Sequence, residues 1–265
     1  MKSTEFMGAG VSLHALFRPG SPTILFLHGL AGHGGEWKQV YELLDDSIGV
    51  IAPDQRGHGE SWSGVDIEVD RSAYVSDAVL LIDRLVGGSV LVVGHSMGGL
   101  VVSVLAARRP DLVRHLVLIE AGFRPMTETD FKALEAWFDR WPARFADENT
   151  ASSFFGHGKR STPAWVDGLA RTPHGLVRRF DPETMLRAMR ALASTSRAAE
   201  WSEILVPTAL IRATDSVITD DEIEEMVAAR PDTQLVEIED SGHDVHLDQP
   251  KQVADVLTDI VESTS

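Results

Sequence analysis

Cysteine is absent from the 265 residues. That excludes disulfides, thiolate catalysis and thiolate metal sites. Basic residues are scarce beside acidic ones, 24 Lys plus Arg against 40 Asp plus Glu, for a formal charge of −16. A surface of that sign repels nucleic-acid phosphates and anionic membranes, and its plain consequence is solubility. Long apolar runs are missing too. Val90–Val93 and Leu116–Ile119 are strand-sized, far short of the ~20 residues that span a bilayer. The opening Met1-Lys2-Ser3-Thr4-Glu5 has no apolar stretch of signal-peptide type. What is present, 43% hydrophobic residues at a mean hydropathy of −0.04, suffices for a sizeable buried core. The expectation is a cytoplasmic protein that needs no metal and no cofactor.

The order of elements reads as alternating strand and helix. Short β-rich runs fall at Ser12–Phe17, Thr23–Leu27, Gly49–Ala52, Val90–Val93, Leu116–Ile119, Thr208–Ile211 and Gln234–Ile238, each bounded by Gly, Pro, Asp or His. Helical stretches fall at Glu36–Asp45, Ala73–Val86, Met97–Arg108, Asp220–Arg230 and Pro250–Ser263, with Pro250 suited to the first helical position. Continuous apolar strands between helices predict an α/β fold, a mostly parallel central sheet covered on both faces. The alternation breaks between Gly122 and Val206. Four of the six Trp lie from Trp137 to Trp201, among helical stripes that include Phe131, Leu134, Phe138, Trp141, Phe154, Phe155 and Trp165. The segment 122–205 reads as a helical lid inserted into a core made of 1–121 and 206–265. Most of these aromatics are expected to pack, and a few, Trp137 and Phe154 among them, to line a pocket.

Gly94-His95-Ser96-Met97-Gly98 follows the strand at Val90–Val93 and opens a helix. A strand-to-helix turn this tight needs glycines where neighbouring backbone approaches, and it presents Ser96 at the carboxyl edge of the sheet. Ser96 is the candidate nucleophile. The helix start favours negative charge developing beside it. Upstream, the glycine-rich run His28–Gly35 follows another strand end and exposes backbone N–H groups. Two such donors aimed at an oxyanion are worth roughly 10²–10³ in rate each. The candidates are the N–H groups of Leu30 and Met97. His28 is read as a loop-holding residue and His33 as a pocket residue or else a further loop residue.

Taken together these residues resemble the α/β-hydrolase superfamily. The matching stretches are His28-Gly29, Asp54–Ser61, Gly94–Gly98 and Ser241-Gly242-His243, in the family's order and spanning nearly the whole chain outside the lid. The resemblance implies the α/β-hydrolase fold and makes His243 the base that takes the serine proton. His246 is its nearest rival. Asp54–Ser61 is read as a tight structural loop. Two positions compete for the carboxylate that orients the base. Asp215 follows the strand most family members use, but Ala213 stands where the usual glycine would be and Asp215 falls one residue short of the usual spacing. Glu120 ends the neighbouring apolar strand, where a subset of the family carries its acid. An unpaired carboxylate there would be costly, and Glu120 is the favoured acid.

The implied chemistry is hydrolysis of a small to medium carboxylic ester or lactone through an acyl-enzyme on Ser96. The partner is a small molecule with a carbonyl and an apolar part. The stretch Arg178–Glu183 is similar to lidded members that cleave amide or C–C bonds, so Arg178 or Arg179 could meet a substrate carboxylate; the alternative is a surface ion pair with neighbouring acids. A lyase or peroxide reaction at the same residues, or a small-molecule receptor, are further readings. Haloalkane dehalogenase and epoxide hydrolase chemistry requires an aspartate where Ser96 stands. Nothing in the sequence specifies an oligomeric state.

Overall fold

The computed structural model describes residues 1–8, 10–62 and 67–264. Eight strands form one sheet: β1 (Lys2–Met7), β2 (Ser12–Arg18), β3 (Thr23–Leu27), β4 (Gly49–Pro53), β5 (Val90–His95), β6 (Val113–Ile119), β9 (Thr208–Ala213) and β10 (Gln234–Ile238). Their spatial order is β1-β2-β4-β3-β5-β6-β9-β10, antiparallel at β1–β2 and β2–β4 and parallel from β4 onward. The central strands are mostly apolar, and their alternate residues serve two different cores. Leu25, Val92 and Leu116 face one layer, Ile24, Leu91 and Val117 the other. On the first side lie α2 (Arg71–Leu85), α3 (Met97–Arg108) and α9 (Asp220–Ala229); on the second, α1 (Lys38–Tyr41), the single turn α10 (Val245–Asp248) and α11 (Pro250–Thr264). Every residue of α3 from Met97 to Ala106 is buried, which explains a helix with no polar face.

Two elements depart from the sequence reading at this level. β1 was not foreseen, because its residues are mostly exposed and carry no apolar alternation; it exists as backbone pairing to β2. The helix expected at Glu36–Asp45 is a 3₁₀ turn at Gly34–Trp37 followed by the single turn α1. The glycine pair Gly34-Gly35 is a poor helix start, and the His33 and Glu36 side chains cap the tighter turn reciprocally.

Between β6 and β9 come α4 (Glu128–Asp139), α5 (Glu148–Phe155), α6 (Thr162–Asp167), the hairpin β7 (Ala170–Thr172)–β8 (Gly175–Val177), α7 (Pro182–Ala193) and α8 (Ala198–Glu203). The hairpin was also unforeseen. Its turn places Gly175 at φ 121°, and Phe145 pairs with Leu176 beside it. This segment holds a core of its own, built on Phe138, Trp141, Phe145, Phe180 and Met185, while Ala188, Leu192 and Trp201 join the main core. No described helix is long and apolar enough to cross a membrane.

Candidate active site

Ser96 sits between β5 and α3 with φ 49° and ψ −114°, a conformation that costs a non-glycine residue about 1–3 kcal/mol. Its neighbours enforce it. A Cβ on Gly94 would lie 2.6 Å from the Gly98 carbonyl carbon, and one on Gly98 would lie 2.3 Å from the Leu27 oxygen. The Ser96 N–H donates to the Ile119 carbonyl at 2.9 Å, locking the turn to the end of β6. Met97 is the first residue of α3, so its N–H is among the four that a helix leaves without an internal partner.

Glu120 follows β6 in the left-handed region at φ 50° and is buried. Its Oε1 accepts from the Ala213 N–H at 2.7 Å and the Ser216 hydroxyl at 2.8 Å, and its Oε2 from the Val217 N–H at 2.9 Å. Burial pushes the Glu120 pKa up, but these bonds and His243 outweigh it and hold the carboxyl below its usual value. His243 Nδ1 lies 3.7 Å from Glu120 Oε2, an ion-pair distance slightly beyond hydrogen-bond reach. Asp215 is exposed, and its backbone N–H donates to the Ser241 carbonyl at 3.2 Å. Of the two competing carboxylates, Glu120 is the one brought beside His243.

A bank of buried imidazoles supports this corner. His28 Nε2 accepts from the Gln55 N–H at 2.9 Å, so its Nδ1 is protonated and donates to the Gly29 carbonyl at 2.7 Å. It holds the loop, as read from sequence, and burial lowers its pKa. His95 Nε2 donates to the His243 carbonyl at 2.8 Å. Burial, with His246 and His243 alongside, keeps His95 neutral. His246 stacks on Trp37 at 4.3 Å between ring centres and pairs through Nε2 with Glu36 Oε1 at 3.2 Å. Burial would raise the Glu36 pKa, but the His246 contact brings it down. Glu36, His95 and His246 each offer a ligand atom within 4.8 Å of the others. One nitrogen of each imidazole is already taken by these contacts.

Ser96 and His243 open onto one cavity of about 660 Å³, with Leu30 in its wall. Trp137 and Phe154 line it, as expected for pocket residues, together with Phe155 and Trp165. Trp141, Phe138 and Phe145 belong to the segment's own core instead. For two residues the pocket reading is corrected. His33 is not in the cavity wall: its Nε2 contacts the Ala164 carbonyl at 3.0 Å and its Nδ1 accepts from the Gly35 N–H, so it ties the glycine-rich loop to α6. Arg178 is not in the wall either, and Arg179 pairs with Glu60. Proximity of arginine to the segment's polar run did not reveal where that run would point. The cations in the wall are Arg140 and Lys159, which the sequence reading passed over. The Asp54–Ser61 stretch is the bonded loop it was read to be: Asp54 accepts from Gly34 N–H at 2.7 Å and Glu60 N–H at 2.8 Å, and Ser61 donates to the Asp54 carbonyl.

A model of the Alpha/beta hydrolase family matches residues 24–256. Among characterised sequences, 2-(acetamidomethylene)succinate hydrolase of Mesorhizobium japonicum is 26% identical over 261 residues, covering 96% of this chain and 92% of that protein. Lipase LipV of Mycobacterium tuberculosis is 34% identical over 159 residues, covering 59% of this chain and 57% of that protein. A crystal structure of E-2-(acetamidomethylene)succinate hydrolase superposes with a TM-score of 0.88 at 24% identity, over 98% of this chain and 99% of that one. The chain belongs to the alpha/beta hydrolase family, and these relatives are hydrolases.

Proposed function

We propose that the protein is a serine hydrolase that cleaves a small to medium carboxylic ester or lactone through an acyl-enzyme on Ser96. The observation that carries this reading is a strained serine at a helix start sharing one cavity with a histidine that lies 3.7 Å from a buried, ionised glutamate. His243 takes the Ser96 proton as the hydroxyl oxygen attacks the substrate carbonyl. Glu120 holds the imidazole and stabilises the imidazolium. The Leu30 and Met97 N–H groups receive the developing oxyanion. The imidazolium then protonates the leaving group, and a water deprotonated by His243 releases the acid. The 122–205 segment forms the lid over this pocket.

A second reading, amide hydrolysis by the same steps, is favoured by the relative named for 2-(acetamidomethylene)succinate, whose similarity spans 96% of this chain. A panel of aryl esters, lactones and acetamides separates the two by rate. Mass spectrometry of the protein quenched during turnover of an aryl ester is expected to find the acyl group on the peptide containing Ser96. Turnover with no adduct on that peptide overturns the mechanism.

A further inference from the structure

The chain carries 40 acidic residues against 24 Lys plus Arg, so a cation on its surface has carboxylates to spare. Several arginines use them: Arg124 pairs with Asp221 and Glu225, Arg190 with Glu128, Arg212 with Asp220. Arg140 and Lys159 make no such pair, and both line the cavity that holds Ser96. Among the described residues no hydrogen bond or ion pair engages either head group. Their backbones are anchored all the same. Arg140 caps the end of α4 with its N–H on the Trp137 carbonyl, and the Lys159 N–H donates to the Gly156 carbonyl in the loop between α5 and α6.

The acids that share the wall have partners other than these cations. Glu36 is engaged by His246 and by the His33 N–H, and Asp244 accepts from the Trp165 indole N–H at 3.0 Å. Two cations without a side-chain partner therefore stand in the wall of a pocket that Leu134, Trp137, Phe155 and Trp165 also line, in a molecule whose net charge is strongly negative. Cations in a cleft whose carboxylates already have other partners are available to an anion, and pair with it most strongly where water is partly excluded.

Resting on the serine-hydrolase reading above, we propose that Arg140 and Lys159 form an anion subsite, and that the substrate carries a carboxylate at the end of an apolar stem remote from its scissile carbonyl. A carboxylate matches the planar fork of Arg140, with Lys159 as a second point charge. The substrate class is the half-ester or half-amide of a dicarboxylic acid. This moves the carboxylate-binding role from Arg178, which is outside the cavity, to residues of α4 and the α5–α6 loop.

The test compares p-nitrophenyl hydrogen glutarate with p-nitrophenyl pentanoate, five-carbon acyl groups that differ in a terminal carboxylate. The wild type is expected to prefer the charged ester in kcat/KM. In the Arg140→Gln/Lys159→Gln double variant that preference falls about tenfold to a hundredfold, the range for losing hydrogen bonds to a charged group. Thermal unfolding checks that the variant is folded. Glutarate binding, followed by titration calorimetry on the Ser96→Ala protein with and without the double substitution, gives a readout free of turnover. A folded double variant that keeps the full preference and binds glutarate as before overturns the subsite. Glutarate binding that depends on both cations in a protein that turns over neither ester upholds the subsite and removes the hydrolase reading instead.

Discussion

Two regions of this molecule bring a serine, a histidine and an acid together, and the one with the better hydrogen bonds is the less suited to catalysis. On the outer edge of the sheet, the Ser3 hydroxyl lies 2.8 Å from His14 Nε2, and His14 Nδ1 lies 3.1 Å from Asp54 Oδ2. At the proposed site, His243 and Glu120 are 3.7 Å apart. By contact distance alone the edge array would be chosen. Ser3, however, sits within a regular strand, opposite Leu16, with no helix start behind it and no glycine-walled turn to lift it out. Glu5 and Glu60 line the groove of about 330 Å³ beside it, so the field opposes an oxyanion. The hydrogen bond to Asp54, with the charges of Asp54, Glu60 and Glu5, outweighs burial and raises the His14 pKa. An imidazole held toward its protonated form is a poor acceptor of a serine proton. Asp54 itself is spent on Gly34, Glu60 and His14. The difference teaches that backbone placement and unspent N–H donors mark a candidate nucleophile, and that a chain of hydrogen bonds is insufficient.

The comparison breaks most readily at the two serines. Ser96→Ala is expected to lower kcat on an aryl ester by on the order of 10⁴–10⁶. Ser3→Ala should leave it within about twofold, the usual scatter for a surface change; an equal loss in both would erase the distinction drawn above. The acids come next. Glu120→Gln should cost about 10³–10⁴ in kcat, as for an orienting carboxylate, and Asp215→Asn only a few-fold. Turnover that survives Glu120→Gln and falls with Asp215→Asn reverses the assignment. A third effect is on stability. Gly98→Ala forces a methyl against the Leu27 and His28 carbonyls and should lower stability by about 1–3 kcal/mol in denaturant titration, whereas Gly88→Ala, which meets nothing, should not.

The smallest effect concerns pH. The folded-state pKa of His14 is raised, so its contribution is fully present below the unfolded value near 6.5 and is lost as pH rises through the folded value. Wild type should exceed His14→Gln in melting temperature by up to about 4 °C at pH 6, and by less at pH 8.5. A gap that widens with pH would mean that His14 is not stabilised as the imidazolium.

Much of the proposed site was legible because its constraints are local. The Gly94–Gly98 spacing between an apolar strand and a helical run dictates the turn at Ser96, whatever the rest of the chain does. The glycine-rich run at His28–Gly35 and the Gly242-His243 pair announce themselves in the same way. β1 and the β7–β8 hairpin were not legible, because each rests on backbone pairing rather than on an apolar pattern. His33 and Arg178 misled for a related reason: a loop residue's direction is set by whatever it meets, here the Ala164 carbonyl for His33.

The sequence by itself determined the order of the seven apolar core strands and of the helices α2, α3, α9 and α11, the strand-to-helix turn at Ser96, the absence of thiol chemistry and the strongly negative net charge, since each follows from residue type at short range. The tertiary structure decided which of the two carboxylates lies beside His243. Parallel pairing of β6 with β9, Ile119 opposite Ile211, brings Glu120 under the Ala213 and Val217 N–H groups and beside His243, while Asp215 turns out to solvent. It also decided which aromatics face the cavity and which cations do. Those depend on how five helices fold back over a sheet edge, and contact between residues a hundred positions apart leaves no mark on the spacing of neighbours.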